Sequence, residues 1–292
     1  DLSSEKRLIQ DFHSALDAPD SDLIKVMTSY SQSDAIWRGY HPYGLLTAAE
    51  AGKRFWGDLR QSFSHLQRRQ DIFFAGENEI DNKASRWVVS MGHLMGLFDA
   101  PFLGIPASRK ITMLRYAEFN RVENGVIVET ALFCDLIHLM HQAGLRPLPP
   151  QTGQHLVQPG PATHDGLLYE DAEGGDDTLA LINRMIGDIN AAGKLTPQDE
   201  LAQCWHNDMI WWGPDGIGAT YTIERYIEQH QRPFRTQLSD RKFNGHVCRL
   251  AEGNFGGFFG WPNLTLTSTG SYMGLPASGK SADMRVVDMY RR

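Results

Sequence analysis

The chain has few cysteines, no excess of basic residues and no long apolar run, and each shortage argues against a class of protein. Its three cysteines, Cys134, Cys204 and Cys248, are widely spaced and form no Cys-x-x-Cys pair, which argues against a disulfide framework or a zinc site. The net charge of −7 over 292 residues argues against nucleic acid as a partner. No stretch approaches the roughly 18 apolar residues that cross a membrane, and the N-terminus lacks a basic-then-apolar signal pattern. We therefore expect a soluble protein in a reducing, cytoplasmic setting, with no membrane partner.

What the chain does contain is an internal repeat. Residues 104–110 read Gly-Ile-Pro-Ala-Ser-Arg-Lys and residues 274–280 read Gly-Leu-Pro-Ala-Ser-Gly-Lys, so five of seven positions are identical at an offset of 170 residues (274 − 104). Upstream, Trp37 matches Trp211 at an offset of 174 (211 − 37), and Trp87 matches Trp261 at the same offset. The first copy therefore carries four additional residues near 96–101. Such a repeat predicts two homologous domains.

Each copy starts with helical patterns and continues with β-rich runs. In the first copy, apolar residues recur at helical spacing between Leu8 and Leu16 and again between Ala51 and Phe63. The β-rich runs that follow cover residues 72–75, 85–95, 111–121 and 126–133. The second copy repeats this order, which predicts an α+β class with helices packed on one face of a curved antiparallel sheet.

We predict two domains, residues 1–145 and 178–292. The segment between them, residues 146–177, is rich in proline and glycine and has an acidic end, a composition typical of a linker. The first copy continues through a strand and a closing helix to Leu145, whereas the second copy has no counterpart of either. Because an open sheet edge is a liability, we expect that this end has been shortened.

The order of these motifs resembles the SnoaL-like polyketide cyclase (ester cyclase) family of the nuclear-transport-factor-like superfamily. The residues that carry the resemblance are the pair Arg86-Trp87, His93 after five further residues, the Gly104-Ile105-Pro106 loop, Arg121, Asn124-Gly125, Asp135 and the segment 142–145. It implies two cone-shaped α+β barrels, each with an apolar interior pocket, which pair through their sheets as a pseudo-dimer within the chain and leave room for a homodimer. It also implies acid–base chemistry on a bound polyketide, such as ring closure by aldol condensation, without metal or cofactor.

Four acidic or imidazole side chains are candidate catalytic groups. His93 fits the family spacing and would act as a proton shuttle, although a strand histidine satisfied by a neighbour is an equal alternative; the second copy has Thr267 or Ser268 there. Glu118 and Asp288 occupy equivalent positions, and each is a general base if its side chain points inward or a surface acid paired with arginine if it points outward. Asp135 is the fourth candidate, and capping of the last helix is the more common role at such a position.

Aromatic and basic side chains are candidate substrate contacts. They are Trp37, His41, Trp87 and Arg115 in the first copy, and Trp211, Trp212, Trp261 and Arg285 in the second. Tryptophan more often packs in a core, and His41 lies in a predicted turn where solvent exposure is the default. Alternation along the strand puts Arg115 on the opposite face from Glu118, and the sequence leaves open which face lines the pocket.

Two functions from different classes remain open at this point. The first is a cofactor-independent cyclase, isomerase or lyase that acts on a small hydrophobic carbonyl compound, with the first copy as the working site. The second is a non-catalytic protein that binds a small apolar molecule in tandem pockets. Convergence of His93 with a carboxylate in a dry pocket would favour the enzyme.

Overall fold

The computed structural model describes residues 1–191 and 193–292, which divide into two compact units. Unit 1 comprises Asp1–Leu145 and Pro159–Glu173, and unit 2 comprises Arg146–Gln158 and Gly174–Arg292. The predicted linker 146–177 therefore does not stand apart from the folded units. Its first part belongs to unit 2, its middle part belongs to unit 1, and its last residues already lie in a helix that begins at Gly175.

Some helices of unit 1 begin at a capping side chain, although the first helix begins at Ser3 without one. Their bounds are α1 Ser3–Asp17, α2 Leu23–Tyr30, α3 Ala48–Ala51, a π-helical turn Gly52–Gly57, α4 Asp58–Ser62 and α5 Leu136–Gln142. Asp22 accepts a hydrogen bond from the Lys25 amide at the start of α2, and Thr47 forms a capping box with Glu50 at the start of α3. In α1, Ile9, Phe12 and Leu16 are buried at helical spacing, so this helix packs its apolar side on the sheet.

The sheet of unit 1 has six strands in the order β2-β1-β6-β5-β4-β3. The strands are β1 Ser31–Gly39, β2 Gly44–Leu46, β3 Phe63–Glu77, β4 Arg86–Phe98, β5 Ile111–Glu123 and β6 Val126–Cys134. All neighbours are antiparallel except β1 and β6, which are parallel. Asn124 and Gly125 form the turn between β5 and β6 with φ of 50° and 75°, as the Asn-Gly pair predicts.

A segment of the predicted linker covers the outer edge of β3. The Phe73 amide donates to the Gly166 carbonyl at 2.7 Å, and the Leu168 amide donates to the Phe73 carbonyl at 2.7 Å. The Tyr169 ring lies 5.2 Å from the Phe73 ring, and Lys6, which is fully buried, donates to the Glu170 carbonyl at 2.9 Å. This strap, residues 166–170, protects an edge strand from pairing with another chain.

Unit 2 repeats the order of helices, hairpin and sheet, which confirms the predicted α+β class of tandem domains. Its helical segments are α6 Gly175–Asn190, α7 Pro197–Ala202, α8 Thr222–Tyr226, a π-helical turn Ile227–Gln231 and α9 Arg232–Gln237. Its strands are β7 Ile210–Trp212, β8 Ala219–Tyr221, β9 Leu238–Phe243, β10 Cys248–Glu252, β11 Phe255–Ser268 and β12 Ser281–Arg291. Both β9 and β10 pair with β11, and β11 also pairs with β12. Among the described residues of the chain, no helix is long and apolar enough to cross a bilayer.

Candidate functional site

A buried histidine–carboxylate pair lies inside unit 1. His13 of α1 and Glu118 of β5 approach to 2.6 Å between Nε2 and Oε1, and Glu118 is only 1 % exposed. Asn120 donates to the same carboxylate oxygen at 2.8 Å, and Thr130 in turn donates to the Asn120 amide oxygen at 2.7 Å. A carboxylate with such donors is held in one orientation within a core that is otherwise largely apolar.

Strand alternation and helix packing explain why the pair forms. Leu114 and Tyr116 lie on the same face of β5 as Glu118, and both belong to the core that Phe12 of α1 also enters. His13 directly follows Phe12 on the buried side of the helix. The acidic face of β5 therefore points into the core of unit 1, and Arg115 lies on the opposite face.

Arg68 of β3 adds a positive charge beside the pair. Its Nε and Nη2 donate to the two carboxylate oxygens of Asp17 at 2.9 and 3.2 Å. Its guanidinium carbon lies 5.2 Å from the Tyr116 ring centre and 5.4 Å from the Trp56 ring centre. The remaining nitrogen, Nη1, is buried and has no hydrogen-bond partner among the described residues.

Hydroxyl and amide groups connect this interior to the strap. Tyr169 donates to Gln70 Oε1 at 2.8 Å, and Gln70 Nε2 donates to Ser90 Oγ at 2.9 Å. Ser90 Oγ lies 2.7 Å from the Tyr116 hydroxyl. The chain of hydrogen bonds therefore runs from a half-exposed tyrosine to one that is fully buried beside Arg68.

Aromatic side chains fill the remaining interior. Tyr40 and Tyr43 pack edge-on against each other and against Phe55, and Trp37 lies 5.8 Å from the Phe55 ring. The Tyr40 and Tyr43 hydroxyls are buried without a hydrogen-bond partner in the part of the chain that is described. Burial raises the pKa of both hydroxyls. Unpartnered buried polar atoms are rare in native proteins and require an explanation.

The protonation states of the pair follow from its surroundings. Burial lowers the pKa of His13 from 6.5, and the positive charge of Arg68 lowers it further. Burial alone raises the pKa of Glu118, but His13, Arg68 and the Asn120 hydrogen bond outweigh it, and the pKa is lowered from 4.5. At neutral pH the site therefore holds a neutral imidazole, which donates through Nε2, and an ionised carboxylate.

The structure does not bring His93 together with Glu118. Ser90 lies directly opposite Glu118 in the sheet, and His93 is three residues further along β4, so its side chain is on the other face. His93 is 3 % exposed, and its Nδ1 lies 3.5 Å from Asp71 Oδ2. Its Nε2 has no hydrogen-bond partner among the described residues. His93 therefore does not converge with Glu118, and the carboxylate that it approaches is that of Asp71.

The other predicted residues of unit 1 lie in a helix cap, in the core or in an exposed turn. Asp135 caps α5 by accepting from the His138 amide at 3.0 Å, the alternative that the sequence favoured. Trp37 is part of the aromatic core, and Trp87 Nε1 donates to Ser85 Oγ at 2.8 Å. His41 is exposed in the turn between β1 and β2.

Unit 2 has no equivalent of the His13–Glu118 pair in its described residues. Its counterpart of Glu118, Asp288, accepts a hydrogen bond from the Tyr290 hydroxyl at 2.9 Å. The buried residues of α6 match those of α1 at an offset of 173 (182 − 9), and this alignment places Ile186 opposite His13. The acid is thus retained in unit 2 without its histidine.

The predicted aromatic residues of unit 2 form stacked contacts. Trp211 stacks on His230 with ring centres 4.1 Å apart, and burial lowers the pKa of that histidine to about 4. The guanidinium carbon of Arg285 lies 3.9 Å from the centre of the Trp261 ring. Trp212 lies in β7. A cavity of about 670 Å³ on this unit is lined by polar residues of the segment 151–154 and of β8, and it contains none of the predicted catalytic side chains.

Sequence reasoning missed His13, Arg68, Ser90 and the two buried tyrosines of the turn. A signal existed for His13, because it directly follows Phe12 within the apolar spacing of the first helix. Arg68 had none, since an arginine among other polar residues is typical of an exposed strand.

Several solved structures are similar to one half of this chain. A candidate SnoaL-like polyketide cyclase from Jannaschia sp. CCS1 has 18% identity, covers 49% of this chain and 94% of its own, and gives a TM-score of 0.41. AclR from Streptomyces galilaeus, described as a candidate hydroxylase, has 16% identity, covers 50% of this chain and 100% of its own, and gives a TM-score of 0.42. An NTF2-like protein from Burkholderia thailandensis has 20% identity, covers 48% of this chain and 97% of its own, and gives a TM-score of 0.37. No protein-family model and no curated protein matches the chain.

Proposed function

We propose that unit 1 is the working domain of a cofactor-independent acid–base enzyme of the SnoaL-like polyketide cyclase type. Its substrate would be a small hydrophobic carbonyl compound. The observation that carries this proposal is the ionised Glu118 carboxylate, which lies buried beside His13 and Arg68. Buried charges of this kind add little to stability, and perturbed groups concentrate at functional sites.

The chemistry assigned to these residues is removal and return of one proton. Glu118 accepts the proton from a carbon next to a carbonyl, and the enolate oxygen that forms accepts hydrogen bonds from Arg68 Nη1 and the Tyr116 hydroxyl. In a ring closure, the enolate carbon attacks a second carbonyl of the same molecule, and the resulting alkoxide takes the proton back from Glu118. Because the pKa of Glu118 is lowered, this base suits an acidic C–H bond such as that of a β-diketone.

Substrate entry requires the aromatic interior to open. Within the described part of the chain, the Tyr40 and Tyr43 hydroxyls have no hydrogen-bond partner, so a polar ligand atom that replaced their ring contacts would satisfy them. Both rings pack on Phe55, which lies in the π-helical turn Gly52–Gly57. Such turns are frequent at functional sites. We propose that movement of this turn opens the aromatic interior to the substrate.

Proton exchange tests the proposal without knowledge of the natural substrate. Benzoylacetone in D₂O, followed by proton NMR, reports removal of its acidic C–H proton. We expect the chain to accelerate this exchange and Glu118→Gln to lower the rate by about 100-fold, the usual contribution of a general base. Asp288→Asn is the matched control in unit 2 and should leave the rate unchanged. Equal loss in both variants, or full activity of Glu118→Gln, would contradict the assignment.

A binding function is the second candidate, because the interior is lined by aromatic rings and His93 does not converge with Glu118. A thermal-shift titration with benzoylacetone separates the two. Stabilisation of the chain with no exchange above the buffer rate favours binding without turnover.

A further inference from the structure

The hairpins of the two units differ at one buried position. In unit 1, Trp37 of β1 lies opposite Leu46 of β2, and Leu46 belongs to the apolar core. In unit 2, Trp211 of β7 lies opposite Thr220 of β8, so Thr220 takes the place of Leu46. Thr220 is 3 % exposed, and its Oγ1 has no hydrogen-bond partner among the described residues. A hydroxyl group therefore replaces an apolar side chain without gaining a hydrogen bond within the fold.

The π-helical turns of the two units show the same change. They begin at residues 52 and 227, an offset of 175 (227 − 52), so His230 matches Phe55 and Gln231 matches Trp56. The ring contacts agree with this alignment, because Phe55 and His230 each pack on the tryptophan of the first hairpin strand of their unit. His230 Nδ1 and Gln231 Oε1 are both buried, and neither has a hydrogen-bond partner in the part of the chain that is described.

These polar replacements weaken the fold of unit 2 unless something binds to them. A buried polar atom that makes no hydrogen bond destabilises the folded chain, and such atoms are rare in native proteins. Unit 1 shows that apolar side chains fill the same three positions. The polar side chains of the hairpin and the π-helical turn in unit 2 are therefore better explained by a molecule that hydrogen-bonds to this region than by packing.

The cavity of about 670 Å³ on unit 2 has Thr220 in its lining. Its other walls are the segment 151–154, the start of α8 and Gln229 of the π-helical turn. The segment is held against β8 by two backbone hydrogen bonds of 2.9 Å, which join Gln154 and Ala219 in both directions. The cavity is therefore built by the fold of unit 2, and its volume lies in the range of small-molecule sites.

The chemistry of the lining favours a neutral ligand with several hydroxyl groups. Side-chain amides and hydroxyls, which both donate and accept hydrogen bonds, come from Gln151, Thr152, Gln154, Thr220, Thr222 and Gln229. Arg225 also lines the cavity, but its guanidinium donates to Glu228 at 2.6 Å, and the neighbouring Glu224 would repel an anion. The ring of Tyr221 is 57 % exposed and offers an apolar surface beside these polar groups.

We propose that this cavity binds a neutral sugar. The buried Thr220 hydroxyl makes a hydrogen bond with one sugar hydroxyl, and the Gln229 amide makes a second from the π-helical turn. The Tyr221 ring packs against the C–H groups of the sugar. The site lies in unit 2 and uses none of the residues assigned to proton transfer in unit 1, so it does not depend on the function proposed there.

Saturation-transfer NMR with D-glucose, D-galactose, D-mannose, D-xylose and N-acetyl-D-glucosamine tests the site. We expect transfer to at least one of these sugars at millimolar concentration, and a titration gives its Kd. Thr220→Val keeps the shape of the side chain and removes the hydroxyl, so it should weaken binding about tenfold, the loss of one hydrogen bond. Gln229→Leu should weaken binding to a similar extent. Thr236→Val, at an exposed position of α9, is the matched control and should leave the Kd unchanged.

Hydrogen exchange of peptides from β8 separates a ligand contact from a structural role of Thr220. Thr220→Val removes a buried atom without a partner among the described residues, so protection of β8 should stay equal or rise, whereas loss of a structural hydroxyl would lower it. Glu118→Gln should bind the sugar with unchanged affinity, because the site lies in unit 2. The proposal is overturned if no sugar shows transfer, if Thr220→Val and Gln229→Leu bind as well as the unmodified chain, or if Glu118→Gln loses binding.

Discussion

Replacing both Glu118 and His13 should destabilise unit 1 by less than the sum of the two single replacements. Glu118→Leu takes away the acceptor of two buried donors, His13 Nε2 and Asn120 Nδ2. A buried donor without an acceptor costs about 1–3 kcal/mol, so we expect a loss of about 3 kcal/mol in the free energy of unfolding. His13→Leu leaves the carboxylate charge with Asn120 and the nearby Arg68, and the loss should be about 3 kcal/mol, the lower end for a broken buried pair.

The double variant His13→Leu/Glu118→Leu removes the charge and the imidazole at once. One donor, the Asn120 amide, then lacks its acceptor, which costs about 1–3 kcal/mol. Additive behaviour would instead give about 6 kcal/mol, the sum of the two single losses estimated from these same costs. The expected coupling energy between the two residues is therefore about 3–5 kcal/mol, well above the usual deviation from additivity at distant sites.

Hydrogen exchange followed by mass spectrometry measures this coupling in each unit separately. Peptides from β4 and β5 report the opening free energy of unit 1, and peptides from β11 serve as an internal control in unit 2. Exchange is preferable to a single denaturation curve because a chain of two units need not unfold in one step. Additive losses in the double variant, or unchanged exchange in Glu118→Leu, would refute the inference that the two side chains form one buried unit.

Two further predictions concern the same interior. The pKa values of His13 and Glu118 are both lowered on folding, so the unfolded chain binds more protons in acid than the folded chain does. The opening free energy of unit 1 should therefore be fully present above pH 6.5 and should fall as the pH drops. The slope is at most about 1.4 kcal/mol per pH unit for each group. The double leucine variant should flatten this slope in the exchange assay, and an unchanged slope would contradict the assignment. Tyr169→Phe removes the hydrogen bond to Gln70 and should lower protection of the strap amides by about 1 kcal/mol; protection equal to that of the unmodified chain would show that the bond is not formed in solution.

The fold class could be predicted from the sequence because its signals are local and appear twice. The helical spacing of Ile9 and Phe12, the Asn124-Gly125 turn and the order of elements are each visible within a short window. The strap was not predictable in this way. Its proline and glycine content indicates a linker, but the pairing of Gly166 with Phe73 joins residues far apart in the sequence, and composition carries no information on such contacts.

Glu118 of the candidate site could be predicted from the sequence, whereas its partner His13 could not, for a related reason. Alternation along β5 separates Glu118 from Arg115, but the inner face is decided by where α1 packs, which is a tertiary contact. His93 attracted attention through its spacing from Trp87, whereas His13 lies 105 positions from the carboxylate that it contacts. No periodic pattern connects two residues across that distance, and a helical histidine in an apolar stripe has the same pattern as a core position.

The difference between the units bears on what the repeat is for. Both keep an acid at the same position of the same strand, yet Asp288 contacts a tyrosine hydroxyl where Glu118 contacts a histidine. A buried histidine and carboxylate add little to stability compared with apolar residues of similar volume, and α6 has isoleucine at the matching position without harm to its packing. The fold can therefore be built without the pair. We therefore connect the pair with the function proposed for unit 1, since unit 2 keeps the same order of elements with isoleucine at the matching position of α6.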